Sequence, residues 1–506
     1  MLSLGELIDR CIEPFAPRLA RNRLAERSAL QLQRDYDAAG HGRRTRGWRR
    51  PNSSADREVR QGLRGLRNGA RELVRNSKYA ANALEHMTAA TIGDGISARA
   101  VHADSAVQRR AQESWDGWAN GAVDGWQDFY GAQELVFRGV VEGGEMLIVW
   151  APDDTGPDGE IRVLEGDYLD DTKNEDRRDG SRIVQGVEFD ARGRRIAYWI
   201  FPHHPGDASG LWAPSVRYDA AHVDHIFVQK RAGQTRGVSW FAPVAMDLRD
   251  IADLEQSRLL KEKITACLAL VLSPPDGGGP TGPFEEANAA AAPAKEERGP
   301  DTLRPGMIFR ARPGEKAETV NPPAASDTTA FIKQQVAAAT ASLAPYHLVT
   351  GDVSQANYTS QRAARLGELQ LLDSRQQHLM IPRMCQRAWE RRMRRLFAET
   401  GDRRFLEVKV AWSPPVRRVV DPVKDIAGEK MEVRAGFKTM PQALAERGRN
   451  WPDHVAEAKA WTVLTDDAGL VFDTDARRID GSGGLQPPAG YIAPKGGAQA
   501  TDDTEE

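Results

Sequence analysis

Four carboxylates within seven residues, Glu165, Asp167, Asp170 and Asp171, are the side chains best spaced to do chemistry. Acids this close supply the oxygen ligands that a divalent cation needs. No glycine at ion-binding-loop spacing and no partner motif accompanies them, so the run reads first as a solvated loop. His203 and His204 sit between Pro202 and Pro205, the pattern of an exposed turn rather than a metal pair. Cys11, Cys267 and Cys385 lie far apart, which gives no metal spacing and no disulfide framework, and suits a reducing compartment. The chain has no GxxxxGK[ST] phosphate loop, no strand–GxGxxG–helix unit, no HExxH, no GxSxG and no paired CxxC. The missing phosphate loop weighs against a motor ATPase. The expectation is a protein without a catalytic centre, metal or cofactor.

Basic chemistry is concentrated at one end. Residues 1–80 hold 18 Lys and Arg against 9 Asp and Glu, although the whole chain of 506 residues carries −3. Arg43, Arg44, Arg46, Arg49 and Arg50 surround Trp48 in a glycine-bearing segment. Arginines interleaved with an aromatic ring can grip phosphates and stack on bases. The same segment also reads as an extended arm lying on an acidic surface of a neighbouring subunit. The near-neutral total excludes the global basic field of a simple nucleic-acid binder. No run of 18 apolar residues exists, so no membrane span is expected, and Glu6, Asp9 and Glu13 interrupt the N-terminal apolar stretch of any signal peptide. A soluble, cytoplasmic protein follows.

The elements that would position these residues fall into blocks. Helical periodicity covers 1–35 and then 55–92, where Leu63, Leu66, Ala70, Leu73 and Val74 share a face. The second block stops at Gly93-Asp94-Gly95. Trp115, Trp118, Trp126 and Phe129 stud a third helical block as core anchors. From Glu145 the period changes to that of strands, at 146–150, 161–164, 183–189, 196–201 and 226–228, with Asp190 to Gly193 as a hairpin turn. An antiparallel α+β region is expected. Trp240 to Leu272 reads as one helix of about 48 Å, striped by Val244, Leu248, Ile251, Leu259, Ile264 and Leu268. Residues 273–301, rich in Pro, Gly, Ala and Glu, read as a mobile insertion, followed by short strands at 303–309 and 312–315.

A helix over 328–343 ends at Pro345. A polar bend follows, and Asn357 to Thr400 then reads as a helix of about 60 Å, broken only by Pro382 and amphipathic only in its first half. Ser354 and Asn357 are candidate N-caps. Phe405 to Trp412 alternates as a strand, Asp421 to Trp461 is helical, and 480–506 reads as a disordered acidic tail.

Several segments resemble the lambda-type portal proteins of tailed bacteriophages. They begin with Arg43-Arg44-Thr45 and Gly47-Trp48, then Leu66-Arg67 through Arg71-Glu72-Leu73-Val74-Arg75-Asn76, and Ile92-Gly93-Asp94-Gly95-Ile96. Gly186-Val187-Glu188-Phe189-Asp190, His225-Ile226-Phe227 and Gly233-Gln234-Thr235-Arg236-Gly237 continue the series. Pro305-Gly306, Pro313-Gly314-Glu315, Gly351-Asp352-Val353-Ser354, and Asn357-Tyr358-Thr359-Ser360 with Arg362 complete it, in collinear order over roughly 35–465. The composition of 273–301 and the acidic tail depart from the pattern.

The resemblance implies an α+β portal-type subunit with long stem and backbone helices and an antiparallel β/α wing. Its expected divisions are a basic arm (1–49), wing (50–240), stem helix (241–272), clip with a flexible insertion (273–327), second stem helix (328–344), tunnel loop (345–356), backbone helix (357–400), wing strand (401–420), helical crown (421–479) and tail (480–506). Such subunits form a homo-oligomeric ring, typically of twelve, at one capsid vertex of the virion, after assembly in the host cytoplasm. Double-stranded DNA is packaged and ejected through the ring. The implied partners are the terminase large subunit, the major capsid protein and the head–tail connector proteins.

Channel residues would be Pro345, His347, Thr350, Gly351, Asp352, Ser354 and Gln355, with Lys261, Lys263 and Lys333 as candidate positive stem positions. Asn357, Tyr358, Ser360 and Arg362 would form the helix cap. One piece of charge chemistry agrees: residues 345–356 contain no Lys or Arg and a single acid, Asp352. DNA carries about one charge per 1.7 Å of axis, and each phosphate neutralised by a fixed cation adds grip. A sliding conduit should therefore be short of cations at its narrowest point. Two other readings stay open: a DNA-packaging enzyme, whether nuclease or motor subunit, and a pore-less capsid scaffold.

Overall fold

The computed structural model describes 51–150, 161–207, 213–267, 270–272, 308–310, 328–354, 357–416, 422–449 and 451–472, with short pieces near 14–26, 46–47 and 474–479. Residues 1–58 and 59–506 form separate compact units. Most of the basic arm, including Arg43, Arg44, Trp48, Arg49 and Arg50, lies outside the described residues, as do most of 273–327 and the acidic tail. Arg46 is an exposed turn residue.

Helix α1 (Ala55–Asn76) is split from α2 (Lys78–Thr91) by Ser77, whose hydroxyl accepts from Ala80 N at 3.5 Å and caps the second helix. Strand β1 (Ser97–Val101), α3 (Ser105–Ala119) and α4 (Phe129–Gly143) follow. Trp115 packs on Trp118, Phe129 and Trp389 with centroids 5.2–5.3 Å apart, so the aromatic anchors build the centre of the main core. Trp126 does not: it sits in the turn before α4 and is 92% exposed, because the α3 and α4 faces have already closed over the core.

Strand β2 (Glu145–Trp150) lies between β3 (Ile161–Glu165) and β9 (Val223–Phe227), antiparallel to both. Its unbroken apolar run is explained by burial on both faces. Met146 and Ile148 enter the main core, while Leu147 and Val149 enter a second core under a five-stranded sheet. That sheet runs β4 (Glu175–Asp176), β5 (Arg182–Val184), β6 (Val187–Phe189), β7 (Arg195–Ile200), β8 (Val216–Asp219), all antiparallel. The expected strand over 183–189 is thus two strands, folded back at Gln185-Gly186, both with positive φ. The turn at 190–193 is present, with Asp190 Oδ1 accepting from Arg192 N and Arg194 N.

Helix α5 (Ala245–Cys267) is shorter than expected, since 270–272 forms β10 (Leu270–Leu272), paired parallel with β11 (Ile308–Arg310). Among the described residues of its stripe, Val244, Leu248 and Ile251 are buried and Leu259 is exposed. Helices α6 (Thr328–Thr340), α7 (Tyr346–Thr350) and α8 (Tyr358–Arg375) lead to a π-helical stretch, Gln376–Cys385, and then α9 (Gln386–Thr400). Pro382 therefore does not break the long helix. It lacks an N–H and would strike the carbonyl four residues back in a regular helix, and the wider turn accommodates it.

The first half is amphipathic as expected, with Leu372, Leu379 and Met380 buried, although Leu366 is exposed. The expectation fails in the second half, where Ala388, Trp389, Met393 and Leu396 bury one face of α9. The α9 arginines that obscured this in the sequence turn outward to partners, Arg392 to Ser114 and Arg395 to Glu399. Residues 403–407 form a 3-10 turn, and the strand expected at 405–412 is β12 (Lys409–Ser413), antiparallel to β1. Helices α10 (Pro422–Arg434), α11 (Met440–Glu446) and α12 (Trp451–Asp467) close the described chain. Among the described residues no helix is long and apolar enough to cross a membrane. The fold is a mixture of helices and mainly antiparallel sheets.

Candidate functional site

The bend between α6 and α8 is not a featureless loop. The chain leaves α6 with Leu343 N and Ala344 N donating to Thr340 O, and buries both residues. Pro345 opens α7, its carbonyl accepting from Leu348 N and Val349 N. So Pro345, His347 and Thr350 belong to a helical turn, not to an open loop. That turn is fastened to α2: Asn82 Nδ2 donates to Leu348 O at 3.1 Å and to Val349 O, and Val349 is buried. Gly351 terminates α7 at φ 71°, a left-handed position where a side chain would be strained, and its N donates to His347 O.

The exposed bend reduces to Gly351–Ser354 among the described residues. Val353 at its tip is 59% exposed. Asp352 turns inward, accepting from Tyr346 Oη at 3.2 Å and from Ser354 N at 3.0 Å, and pairing with Lys333 Nζ of α6 at 2.7 Å. The hydrogen bonds from Lys333 and Ser354 hold the Asp352 carboxyl well below the usual range, and Asp352 raises the Lys333 ammonium in turn. The one acid of the bend and Lys333 of α6 therefore cancel. Lys261 and Lys263 sit in the last turns of α5, and the described partners of Asp352 come from α6 and from its own turn.

Past the bend, Asn357 caps α8. Its Oδ1 accepts from Ser360 N at 2.8 Å while Ser360 Oγ accepts from Asn357 N at 3.0 Å, a reciprocal capping box. Ser354 is not a cap. Arg362 pairs with Asp425 at 3.3 Å, joining α8 to α10. Gln355 lies outside the described residues, as does the side chain of Tyr358.

The carboxylate cluster at 165–171 is satisfied by protein. Asp167 and Glu165 share Arg71 Nη2, Asp167 also meets Arg67 at 3.2 Å, and Arg64 Nε donates to Asp171 at 2.7 Å. Asp170 accepts from Thr172 and Ser215 hydroxyls. Donor atoms of Glu165, Asp167 and His204 do lie within 4.8 Å of one another, but an arginine already bridges the two acids. His203 is exposed in its turn, and His204 rests its ring against Tyr168 at 5.4 Å.

Sequence periodicity missed a buried ionic node beside this cluster. Glu145, fully buried, accepts from Arg236 Nη2 at 2.6 Å, Arg67 Nη2 at 2.7 Å, Gly237 N at 2.7 Å and His225 Nε2 at 2.9 Å. Arg236 also donates to Gln185 O and Gly166 O, and Arg67 to Gly143 O. Two guanidinium groups and an imidazole thus drive Glu145 well below the carboxylate range against its burial. Arg195 Nη1 stands 2.9 Å from His225 Nδ1, so that nitrogen accepts, Nε2 carries the proton, and the ring is neutral. Burial pushes His225 down to about 4. Glycines make the room: a Cβ on Gly144 (φ 94°) would reach within 2.5 Å of Val238, and one on Gly237 within 2.1 Å of Gly144 O. The visible signal was a polar run, Gly233 to Gly237, between apolar elements. The node joins α1 to both sheets.

The chain matches a family model described as "Phage portal protein, lambda family" over residues 41–376. A curated relative, the "Probable portal protein" of Halomonas phage phiHAP-1, is 28% identical over 248 residues, 45% of this chain and 47% of the relative. The match thus spans about half the length of that relative. Similar solved structures include a chain of the virion of a native gene transfer agent particle, with TM-score 0.37 and 16% identity over 80% of this chain and 97% of that one. Another is the neck of the native particle computed with C12 symmetry, with TM-score 0.38 and 16% identity over 75% and 92%. The family match covers well over half of the sequence and contains the node, the bend and the capped start of α8: this chain belongs to the lambda family of phage portal proteins.

Proposed function

We propose that the chain is the subunit of a homo-oligomeric portal ring, a conduit at one capsid vertex through which double-stranded DNA enters and leaves. The observation that carries this reading is the neutral bend. Its only acid is cancelled by Lys333, its tip is an exposed Val353, and its base is fastened to α2 and α6. Such a surface can guide a duplex without holding its phosphates. In this assignment α5 and α6 are stem helices, α8 to α9 the backbone helix, the sheets and α1 to α4 the wing, and α10 to α12 the crown. Lys261 and Lys263 remain the candidate positive stem positions, and Pro345, His347 and Thr350 brace the bend from behind.

Exposed apolar side chains support self-association. Met246, Leu259 and Leu260 on α5 and Val423, Met431 and Leu464 on α10 and α12 lie open on the protomer, as does Phe437, 87% exposed. Ring closure by heterologous contacts would cover them. The terminase large subunit, the major capsid protein and the head–tail connector proteins are the proposed partners, and the virion is the proposed location. The protein would turn nothing over, and the basic arm would touch DNA or a neighbouring subunit. Negative-stain microscopy of the purified full-length protein tests this: end-on rings with a central hole are expected. Dispersed monomers, or solid particles with ATP hydrolysis, overturn it.

A further inference from the structure

A cavity of about 470 Å³ opens where β7 and β9 meet the π-helical stretch and α9, away from the bend. Its charged lining is Arg182, Arg195, Arg383 and Arg387, with Asp224 as the acid. Asp224 is already committed, accepting from Trp150 Nε1 at 2.7 Å and shared by Arg387 and Arg391. Arg195 is held without a carboxylate among the described residues. It donates to His225 Nδ1 at 2.9 Å and Thr235 O at 3.2 Å, and lies over the rings of Phe189 and Phe227 at 5.8 and 5.2 Å. Arg182 lies over Phe189 at 5.7 Å, and neither it nor Arg383 has a carboxylate partner among the described residues.

Three guanidinium groups, two of them at exposed positions, face one concave space without a carboxylate of their own among the described residues, so an anion entering it meets uncompensated positive charge. Structural arginine pairs, as at Glu145, do not leave such a surplus. Guanidinium forks match the oxygens of a phosphoryl group and can bind it bidentately. The volume is that of a small-molecule site. We propose that this cavity is a phosphoryl-binding site, taking a di-anionic or more highly charged phosphate ester or anhydride. Arg195 fixes the site through its bonds to His225 and Thr235, while Arg182 and Arg383 close on the ligand from β5 and the π-helical stretch. This site is independent of the conduit reading and of ring formation.

Binding of inorganic pyrophosphate to the full-length protein, followed by isothermal titration calorimetry at low salt, tests the site. Saturable binding at one site per chain is expected. Arg182→Gln and Arg383→Gln, both at exposed positions, should each weaken it about 10-fold, since charge-assisted hydrogen bonds carry that much. Arg394→Gln on the outer face of α9 should leave it unchanged. A short DNA duplex that displaces pyrophosphate identifies a nucleic-acid backbone as the source of the phosphate; a duplex that fails to displace it identifies a free phosphate compound. Absence of pyrophosphate binding, or equal binding by the doubly substituted protein with an unchanged unfolding midpoint, overturns the proposal.

Discussion

Replacing Glu145 by Gln should destabilise this protein severely although the change is isosteric. The carboxylate presents two oxygens to at least four donors. Oε1 takes Arg67 and Arg236, while Oε2 takes His225 Nε2 and Gly237 N. An amide has one acceptor oxygen, and its NH₂ would face either two guanidinium groups or an imidazole N–H and a backbone N–H. Arg236 and Arg67 side chains are 0% and 3% exposed, so the charge they lose cannot be replaced by water. Breaking one partner out of a buried ionic group costs about 3–5 kcal/mol. With a urea dependence of about 3 kcal/mol per M, the midpoint should fall by about 1–1.7 M. Trp115, Trp118 and Trp389 report the transition by fluorescence. A midpoint shift below about 0.3 M would falsify the premise that Glu145 is the counter-charge holding Arg67 and Arg236 inside. Replacing Glu145, Arg236 and Arg67 together by apolar residues should recover part of the loss, because desolvation of the ions is then avoided as well.

Other consequences are equally direct. His225 is neutral in the fold with its pKa pushed down to about 4, so the unfolded chain binds a proton that the folded one refuses between about 6.5 and 4. Stability should therefore fall as pH drops through that window, at up to about 1.4 kcal/mol per pH unit from this group, and His225→Gln should flatten the fall in thermal-melt series from pH 7 to 4. Asn357→Ala removes one side of the capping box and should cost about 1 kcal/mol, seen as faster amide exchange in the first turn of α8; unchanged exchange there refutes the cap's role. Asp352→Arg turns a cancelled pair into two adjacent cations and should slow DNA packaging in a reconstituted particle while ring formation on gel filtration is kept; packaging at the wild-type rate, or loss of rings, counts against the placement of the bend.

What the sequence discloses and what it hides divide along physical lines. Local signals were legible. Pro345 and Gly351 punctuate the chain through backbone geometry, Asn357 caps through one side-chain bond, and β2 announces its two-sided burial as an unbroken apolar run. The resemblance rested on the same segments. What periodicity could not reveal was partner choice across long separations. Arg67 lies on a helix most of whose other arginines are exposed, and Glu145, 78 residues away, makes its burial tolerable together with Asp167. The acids at 165–171 read as solvated because their arginines belong to α1. Trp126 and Trp115 carry the same intrinsic preference for a core, and tertiary closure admitted one and excluded the other. The arginines of α9 hid its buried stripe because their acceptors, Ser114 and Asp224, come from other elements.

These long-range pairings also bear on how a conduit could be built. A DNA channel must be held open by stiff elements while its inner surface stays electrically quiet. In this protein arginines meet Glu145, Asp167 and Asp224, where each fixes one element to another. At the bend the same chemistry runs in the opposite sense: one lysine from α6 neutralises one carboxylate, and the exposed residues, Gly351, Val353 and Ser354, are uncharged. In the proposed ring, each protomer would then add a neutral, weakly polar edge to the constriction. A passing duplex would meet steric guidance at every copy and an ion-pairing partner at none. Stiffness comes from the way α7 is held, through Asn82 to α2 and through buried Val349. Electrostatic silence and mechanical bracing are therefore supplied by different residues, and a substitution can remove one without the other.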